Sequence, residues 1–280
     1  MPSRFTDARS AFHDALFDRL VRVNEAGYLN FADTSSGPSR EIATRMVSLL
    51  GRTATPGKIA AQTAGVIFEN LVSGFVRDCF GELAHLRPGR WTVERSTEIR
   101  TFDQYAHIAL IAEATKSNAA LAAALGRDYV IRPDIVIYRA PEPDASINRA
   151  ALLVDDASAR LTSLRETSGA LPTLHASVSC KYTIRADRSQ NSRAEALNLI
   201  RGRRGKTPQI AAVTAEPTPA RIASLALGTG DIDCVYHFAL YELQTAIEEL
   251  GYADAREMLG IMIEGKRLRD ISDLPLDLAI

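Results

Sequence analysis

The chain has 280 residues, 33 of them basic and 34 acidic, and a formal net charge of −1, which excludes a general polybasic coat for nucleic acid but leaves room for a local basic groove. Apolar residues make up 46% and charged residues 24%, the balance of a globular protein long enough to bury a sizeable core as one large domain or two small ones. Three cysteines, Cys79, Cys180 and Cys234, are odd in number, far apart and without CxxC or Cys/His spacing, so a reducing compartment and no structural zinc are expected. Residues 1–7 do not read as a signal peptide and no apolar run approaches spanning length, which points to a cytoplasmic protein with no membrane partner.

Apolar spacing predicts a helix over 4–22, a polar loop over 27–37 that contains Asp33, and a helix over 40–50 interrupted by Pro56-Gly57. A long amphipathic helix starts at Gln62 and runs to about 86, with Glu69 in its first half. Residues 90–94 read as a short strand, and 105–125 as an alanine-rich helix ended by Gly126. The strand over 129–138 sets Asp134 in an apolar run, and Pro133 confines it to a sheet edge or a bulge. Residues 141–169 are polar and irregular, with a short helix expected near 157–165. A strand over 174–181, a helix over 191–200 and a strand over 210–214 follow. A proline-rich turn then leads to a helix over 219–226 with Arg221 at its start, and a strand over 234–240 precedes helices over 241–250 and 253–264. No repeat or low-complexity linker divides the chain, so one α/β domain over 1–280 is expected.

The stretch Ser179-Cys180-Lys181-Tyr182-Thr183-Ile184-Arg185-Ala186-Asp187-Arg188, followed by Glu195, organises the chemistry. A lysine closing a buried strand is costly to desolvate without a partner. Asp134 on the neighbouring strand and Glu195 on the following helix supply two carboxylates, which can hold Mg²⁺ through oxygen. Lysine beside them can orient a water or stabilise charge on a phosphate. This is the pattern of PD…(D/E)xK nucleases, broken at one place: the acid expected two residues before the lysine is Ser179, and Glu195 is placed to supply that charge instead.

Arg185, Asp187 and Arg188 add a second signal. An arginine fork matches guanine O6 and N7 in the major groove, and an aspartate accepts from cytosine N4. Between Lys181 and Lys206 eight basic residues face only Asp187 and Glu195, a local charge of +6 that reads as a phosphate footprint or as a solvated helix face. Two rival chemistries are weaker. Gly202-Arg203-Arg204-Gly205-Lys206-Thr207 imitates the end of a phosphate-binding loop, but Ile200 stands where that motif needs glycine, and a helix precedes it. Cys180 beside Lys181 lacks the nearby His/Asn pattern of a cysteine or serine hydrolase.

The chain resembles the NgoMIV-type restriction endonucleases, in the CCGG-cutting group whose second acid has moved to the next helix. The resemblance is carried by Arg132-Pro133-Asp134, by the run from Ser179 through Ser189-Gln190-Asn191-Ser192-Arg193-Ala194-Glu195, by Val213-Thr214-Ala215-Glu216-Pro217-Thr218-Pro219, and by residues 226–242 and 265–278. It implies a PD-(D/E)xK restriction-endonuclease-like fold with a central mixed sheet flanked by helices. It implies metal ligands at Asp134 and Glu195 with the Cys180 carbonyl, a catalytic Lys181, Ser179 at the vacated acid position, and a supporting acid at Glu69. Arg185, Asp187 and Arg188 would read the inner CCGG. Arg221 and Asp33 would read the outer G·C pair in the major groove, and Gln62 would approach from the minor groove. The activity so implied is Mg²⁺-dependent cutting of double-stranded DNA at GCCGGC, after the first G and staggered, leaving 5′-phosphates, within a restriction-modification system. A palindromic target suits a homodimer, and the family implies a homotetramer engaging two sites. The alternative is a non-catalytic sequence-specific DNA-binding protein on the same scaffold.

Overall fold

The computed structural model describes residues 2–116, 120, 131–184, 186–228 and 230–280, and within 186–189 the course of the backbone alone. The N-terminal third is helical. The Ser3 side chain caps α1 (Arg4–Arg19) by accepting the Thr6 N–H. A parallel ladder of two-residue strands, β1 (Arg22–Val23) and β2 (Thr55–Pro56), flanks α2 (Gly37–Leu50); strands this short leave no periodicity to read. α3 (Ala61–Gly81) buries Phe68, Leu71, Val72, Phe75 and Val76 along one stripe, which packs on α1 and on the central sheet.

β3 (Trp91–Arg95) follows, then α4 (Ala106–Lys116), then β4 (Ile135–Arg139). The rest of the helix expected to 125, apart from Ala120, and the first residues of the strand expected over 129–138 lie outside the described residues. Pro133 confines nothing here: β4 begins after it, at Ile135, and is paired on both sides. The expected helix near 157–165 is absent; the short helix of this region is α5 (Asp144–Ile147), and Arg165 is buried to clamp the loop onto it, bonded twice to Asp144 (2.8 and 2.5 Å) and to the carbonyls of Asp155 and Ser158.

β5 (Thr173–Lys181), α6 (Ala186–Gly202), β6 (Gln209–Thr214), α7 (Pro219–Ala226) and β7 (Cys234–His237) complete the middle of the chain. α6 starts earlier than its apolar spacing suggests, because polar residues fill its first turns. β7 stops at His237, where the chain turns into α8 (Leu240–Leu250) and α9 (Ala253–Glu264). A last strand unread in the sequence, β8 (Leu268–Asp270), closes the sheet.

The six strands β3 to β8 lie side by side in chain order. β3, β4 and β5 are antiparallel, and β5 to β8 are parallel, so the sheet is mixed as expected. Parallel neighbours need crossovers, which α6, α7 and the α8–α9 pair supply. Covered by these helices, β6 and β7 are buried almost end to end. Buried apolar residues from Phe12 to Leu278 form one contiguous core.

Candidate active site

The carboxyl end of β5 meets the amino end of β4. Register pairs Ile135 with Val178, so Asp134 faces the last residues of β5. The Asp134 carbonyl accepts the N–H of Ser96, a non-glycine residue with φ of 54°, which fixes its backbone. Three donors then converge on Asp134 Oδ2: the Cys180 N–H at 2.7 Å, Lys181 Nζ at 3.2 Å and Ser179 Oγ at 3.5 Å. The Lys181 and Asp134 side chains are 20% and 25% exposed, half-buried but open on one side.

Glu195 reaches the same place from the third turn of α6. Ser192, a turn earlier, docks that helix on the strand, its Oγ 3.4 Å from Ser179 Oγ. Burial first, and then the charge of Asp134, push the Glu195 carboxyl up to about 7, with Lys181 opposing them. Two carboxylates around one lysine therefore leave the site short of positive charge. An oxygen-seeking divalent cation fits that donor set. Among the described residues no three His, Cys, Asp or Glu side chains gather to hold a metal, so carbonyl and water oxygens would complete a shell begun by the two acids. Glu69, in α3, pairs with Arg95 at the end of β3 (2.8 Å), and both lie close enough to act on Cys180 electrostatically.

The rival chemistries fail on this geometry. Burial and Asp134 hold the Cys180 thiol well above its ordinary range, the reverse of an activated nucleophile. Residues 202–207 join a helix to a strand, and Gln104 holds them through the Arg204 N–H (2.9 Å), so no strand-to-helix phosphate loop is formed.

Of the expected base readers, Arg185 lies outside the described residues; Asp187 and Arg188 fall in the first turn of α6, described by their backbone alone. Arg221 and Asp33, far apart in sequence, form an ion pair. Asp33 is fixed further by its loop: Oδ1 accepts from the Ser35 N–H (2.9 Å) and Ser35 Oγ (2.6 Å). Those Ser35 donors, followed by Arg221, hold the Asp33 carboxyl down at about 2. The pair lines an open cleft of about 820 Å³ together with Lys58, Thr183, Ile184 and Gln190. Gln62 is exposed in the first turn of α3, outside the lining of that cleft.

Several contributors carry no sequence signal as site residues. Glu216, fully buried, bonds the Ile184 N–H (3.0 Å) just beyond the lysine; its only trace in the sequence is an acid between an apolar strand and a proline-rich turn. Asn30 accepts from the Tyr182 hydroxyl (2.9 Å) and so ties the N-terminal loop to the residue after Lys181. Two residues of the basic patch are engaged within the fold while keeping their charge: Arg193 bonds the Ser224 carbonyl (2.9 Å) and Arg203 the Ile200 carbonyl.

A model of the NgoMIV restriction enzyme family matches residues 12–280. The type II restriction enzyme NgoMIV of Neisseria gonorrhoeae is 50% identical over 282 residues, covering 99% of each chain. Among solved structures, the type IIF restriction endonuclease Bse634I with cognate DNA aligns at a TM-score of 0.39 and 14% identity, over 86% of this chain and 91% of that one. The restriction endonuclease PspGI in complex with substrate DNA aligns at 0.37 and 14%, over 98% and 89%. Both structural likenesses are too loose to argue from; the family match and the full-length identity are not. On those two findings the chain belongs to the NgoMIV restriction enzyme family, with its restriction-endonuclease-like α/β fold, and is a type II site-specific deoxyribonuclease.

Proposed function

We propose that this enzyme cuts double-stranded DNA at the palindrome GCCGGC in a Mg²⁺-dependent reaction, after the first G and with a stagger, leaving 5′-phosphates. The observation that carries the reading is the meeting of Asp134, Lys181 and Glu195 at the end of β5, beside the cleft that holds Arg221 and Asp33. Asp134 and Glu195, with the Cys180 carbonyl, would hold the cation. When bound, the metal supplies positive charge to the scissile phosphate, to the attacking water and to the leaving 3′ oxygen. Lys181, steadied by Asp134, faces the phosphate and orients the water. Ser179 leaves the usual acid position neutral and bonds Asp134, and Glu69 supports from α3 through Arg95.

Arg185, Asp187 and Arg188 read the inner CCGG. Arg221 and Asp33 suit the outer pair, because guanine offers acceptors and cytosine a donor on one major-groove edge, and an Arg–Asp pair offers the complementary groups side by side. Gln62 approaches the same pair from the minor groove. The protein acts as a single domain over 1–280, supported by its one contiguous core. It works as a homodimer that assembles into a homotetramer on two sites, in the cytoplasm, as the nuclease of a restriction-modification system. Three unpaired, buried cysteines suit that compartment, and no helix among the described residues is long and apolar enough to cross a membrane.

Digestion of a plasmid of known sequence with Mg²⁺, followed by end sequencing, tests the whole reading. Cuts confined to GCCGGC are expected. Cuts at another CCGG-containing site would keep the active site and remove the roles of Arg221, Asp33 and Gln62. Tight specific binding without cutting would make the protein a non-catalytic binder.

A further inference from the structure

We propose that Glu216 is a positioning residue for sequence reading: its one carboxylate joins the backbone leading into Arg185 to the start of the helix that carries Arg221, so that inner and outer base pairs are read in one register. The inference rests on the reading above, in which those two arginines contact bases.

The two oxygens of Glu216 serve different segments. Oε2 accepts the N–H of Ile184, the residue that precedes Arg185 in the chain, at 3.0 Å. Oε1 accepts the N–H of Thr218, the N-cap of α7, at 3.2 Å. Arg221 is in the first turn of α7, and its Nη1 lies 3.8 Å from Glu216 Oε2 while Nη2 holds Asp33. One side chain thus touches the approach to the inner readers, the cap of the outer-reader helix, and the outer reader itself.

Glu216 is held so that it cannot swing. Its side chain is 1% exposed. Its own N–H donates to Thr214 Oγ1 at the end of β6 (3.1 Å). Its carbonyl faces His237 Nε2 at 3.2 Å, and the Ala239 N–H donates to Nδ1 of the same ring (3.1 Å). Burial keeps that imidazole neutral, so its proton sits on Nε2 and is donated to the Glu216 carbonyl. Both neighbouring strands therefore fix the residue.

A stability role alone accounts poorly for this choice. A buried carboxylate is expensive, and an apolar side chain would close a strand-end turn at lower cost. What the carboxylate adds is two acceptors with fixed spacing, and both of its N–H partners belong to reader segments. A second tie joins the middle of α6 to the far end of α7. Arg193 of α6 bonds the Ser224 carbonyl at the C-terminal end of α7 through Nε (3.0 Å) and Nη2 (2.9 Å), and a Cβ at Gly228, φ 145°, would strike its guanidinium. Glu216 and Arg193 thus tie the segment from Ile184 into α6 to both ends of α7.

The test uses the full-length enzyme and the ratio of kcat/KM on three duplexes: GCCGGC, one altered at the outer pair (ACCGGT) and one altered at an inner pair (GCATGC). Glu216→Gln converts one acceptor to a donor, so only one of the two N–H groups keeps its partner. We expect the ratios against both altered duplexes to fall together, by roughly 5- to 100-fold, the range of one good base contact. Arg221→Ala should lower only the outer ratio, and Arg185→Ala only the inner one. Thermal melting establishes that each variant is folded; if Glu216→Gln is not, Glu216→Asp keeps the charge but withdraws it from both N–H groups, and should lower both ratios as well. If the two arginine variants behave as assigned while the folded Glu216 variant keeps wild-type ratios, or loses only one of them, the bridge is overturned. If the arginine variants leave their own base pairs unaffected, the reader assignment falls, and the bridge with it.

Discussion

At the end of β5, Asp134 and Glu195 share a single lysine, and the carboxyl of Glu195 rises to about 7 under burial and the charge of Asp134. In the cleft alongside, Arg221 lies between Asp33 and Glu216, and the carboxyl of Asp33 falls to about 2. Both regions set two carboxylates around one basic side chain, and what differs is how the acids are held: burial and a like charge raise Glu195, whereas hydrogen bonds from Ser35 and then Arg221 lower Asp33. On the roles proposed above, the first pair of acids receives a cation. The second exchanges hydrogen-bond partners with a base edge, so its geometry matters most. Chemistry and reading can therefore be disturbed separately.

The largest expected effect is at the lysine. Lys181→Ala should lower cutting in Mg²⁺ by at least about 10²- to 10⁴-fold, the usual worth of a positioned proton-handling or charge-bearing side chain, while leaving specific binding intact in Ca²⁺. A gel-shift and cleavage pair on one duplex checks both, and normal cutting would remove Lys181 from the mechanism. Glu195→Gln should also stop cutting, yet stabilise the metal-free protein by removing a buried charge and its repulsion with Asp134. The melting temperature should rise by roughly 2–4 °C per kcal/mol relieved.

The same group gives a pH test with a definite sign. Its folded value, about 7, lies above its ordinary 4.5, so its contribution to stability is complete below 4.5 and is lost as pH rises through about 7. Melting of the metal-free enzyme should fall across that window, and either Mg²⁺ or Glu195→Gln should flatten the fall. A flat profile in the wild type without metal would mean that neither burial nor Asp134 raises the Glu195 carboxyl. Arg221→Ala, in the cleft, should cost about 1–3 kcal/mol of discrimination at the outer pair and little cutting at the best site. The smallest expected effect is that of Asp33→Asn on folding, below about 1 kcal/mol because the ion pair it breaks is partly solvated; a denaturant titration measures it.

Much of the catalytic end was legible because its signals are local. The apolar run before Lys181 marks β5, and Ser179 in the acid position directs attention to Glu195, whose helix has a readable apolar face. The reading failed where local pattern is weak or partners are distant. The helix expected from 191 already begins at Ala186, because the polar residues of its first turns carry no apolar period. β8 is three residues, two of them charged, and becomes a strand only because β7 offers it a parallel edge. The short helix was misplaced within 141–169 because Arg165, not periodicity, organises that loop. Glu216 was hidden for a different reason. A glutamate before Pro-Thr-Pro looks like a surface turn, and its partner Ile184 lies 32 residues away. Only the fold shows that it is buried.

The sheet that runs in chain order has a consequence for descent. Asp134, Lys181, Glu195 and Arg221 all come from one unbroken part of the chain, whereas Asp33 and Gln62 come from the helical N-terminal third. On the roles proposed above, the two metal-holding acids, the lysine and the inner readers are inherited together, and Asp33 and Gln62 travel on a separate segment with the supporting Glu69. Drift confined to Asp33 and Gln62 would then rewrite the flanking base pair of the target and leave the scissile chemistry, Glu69 included, untouched.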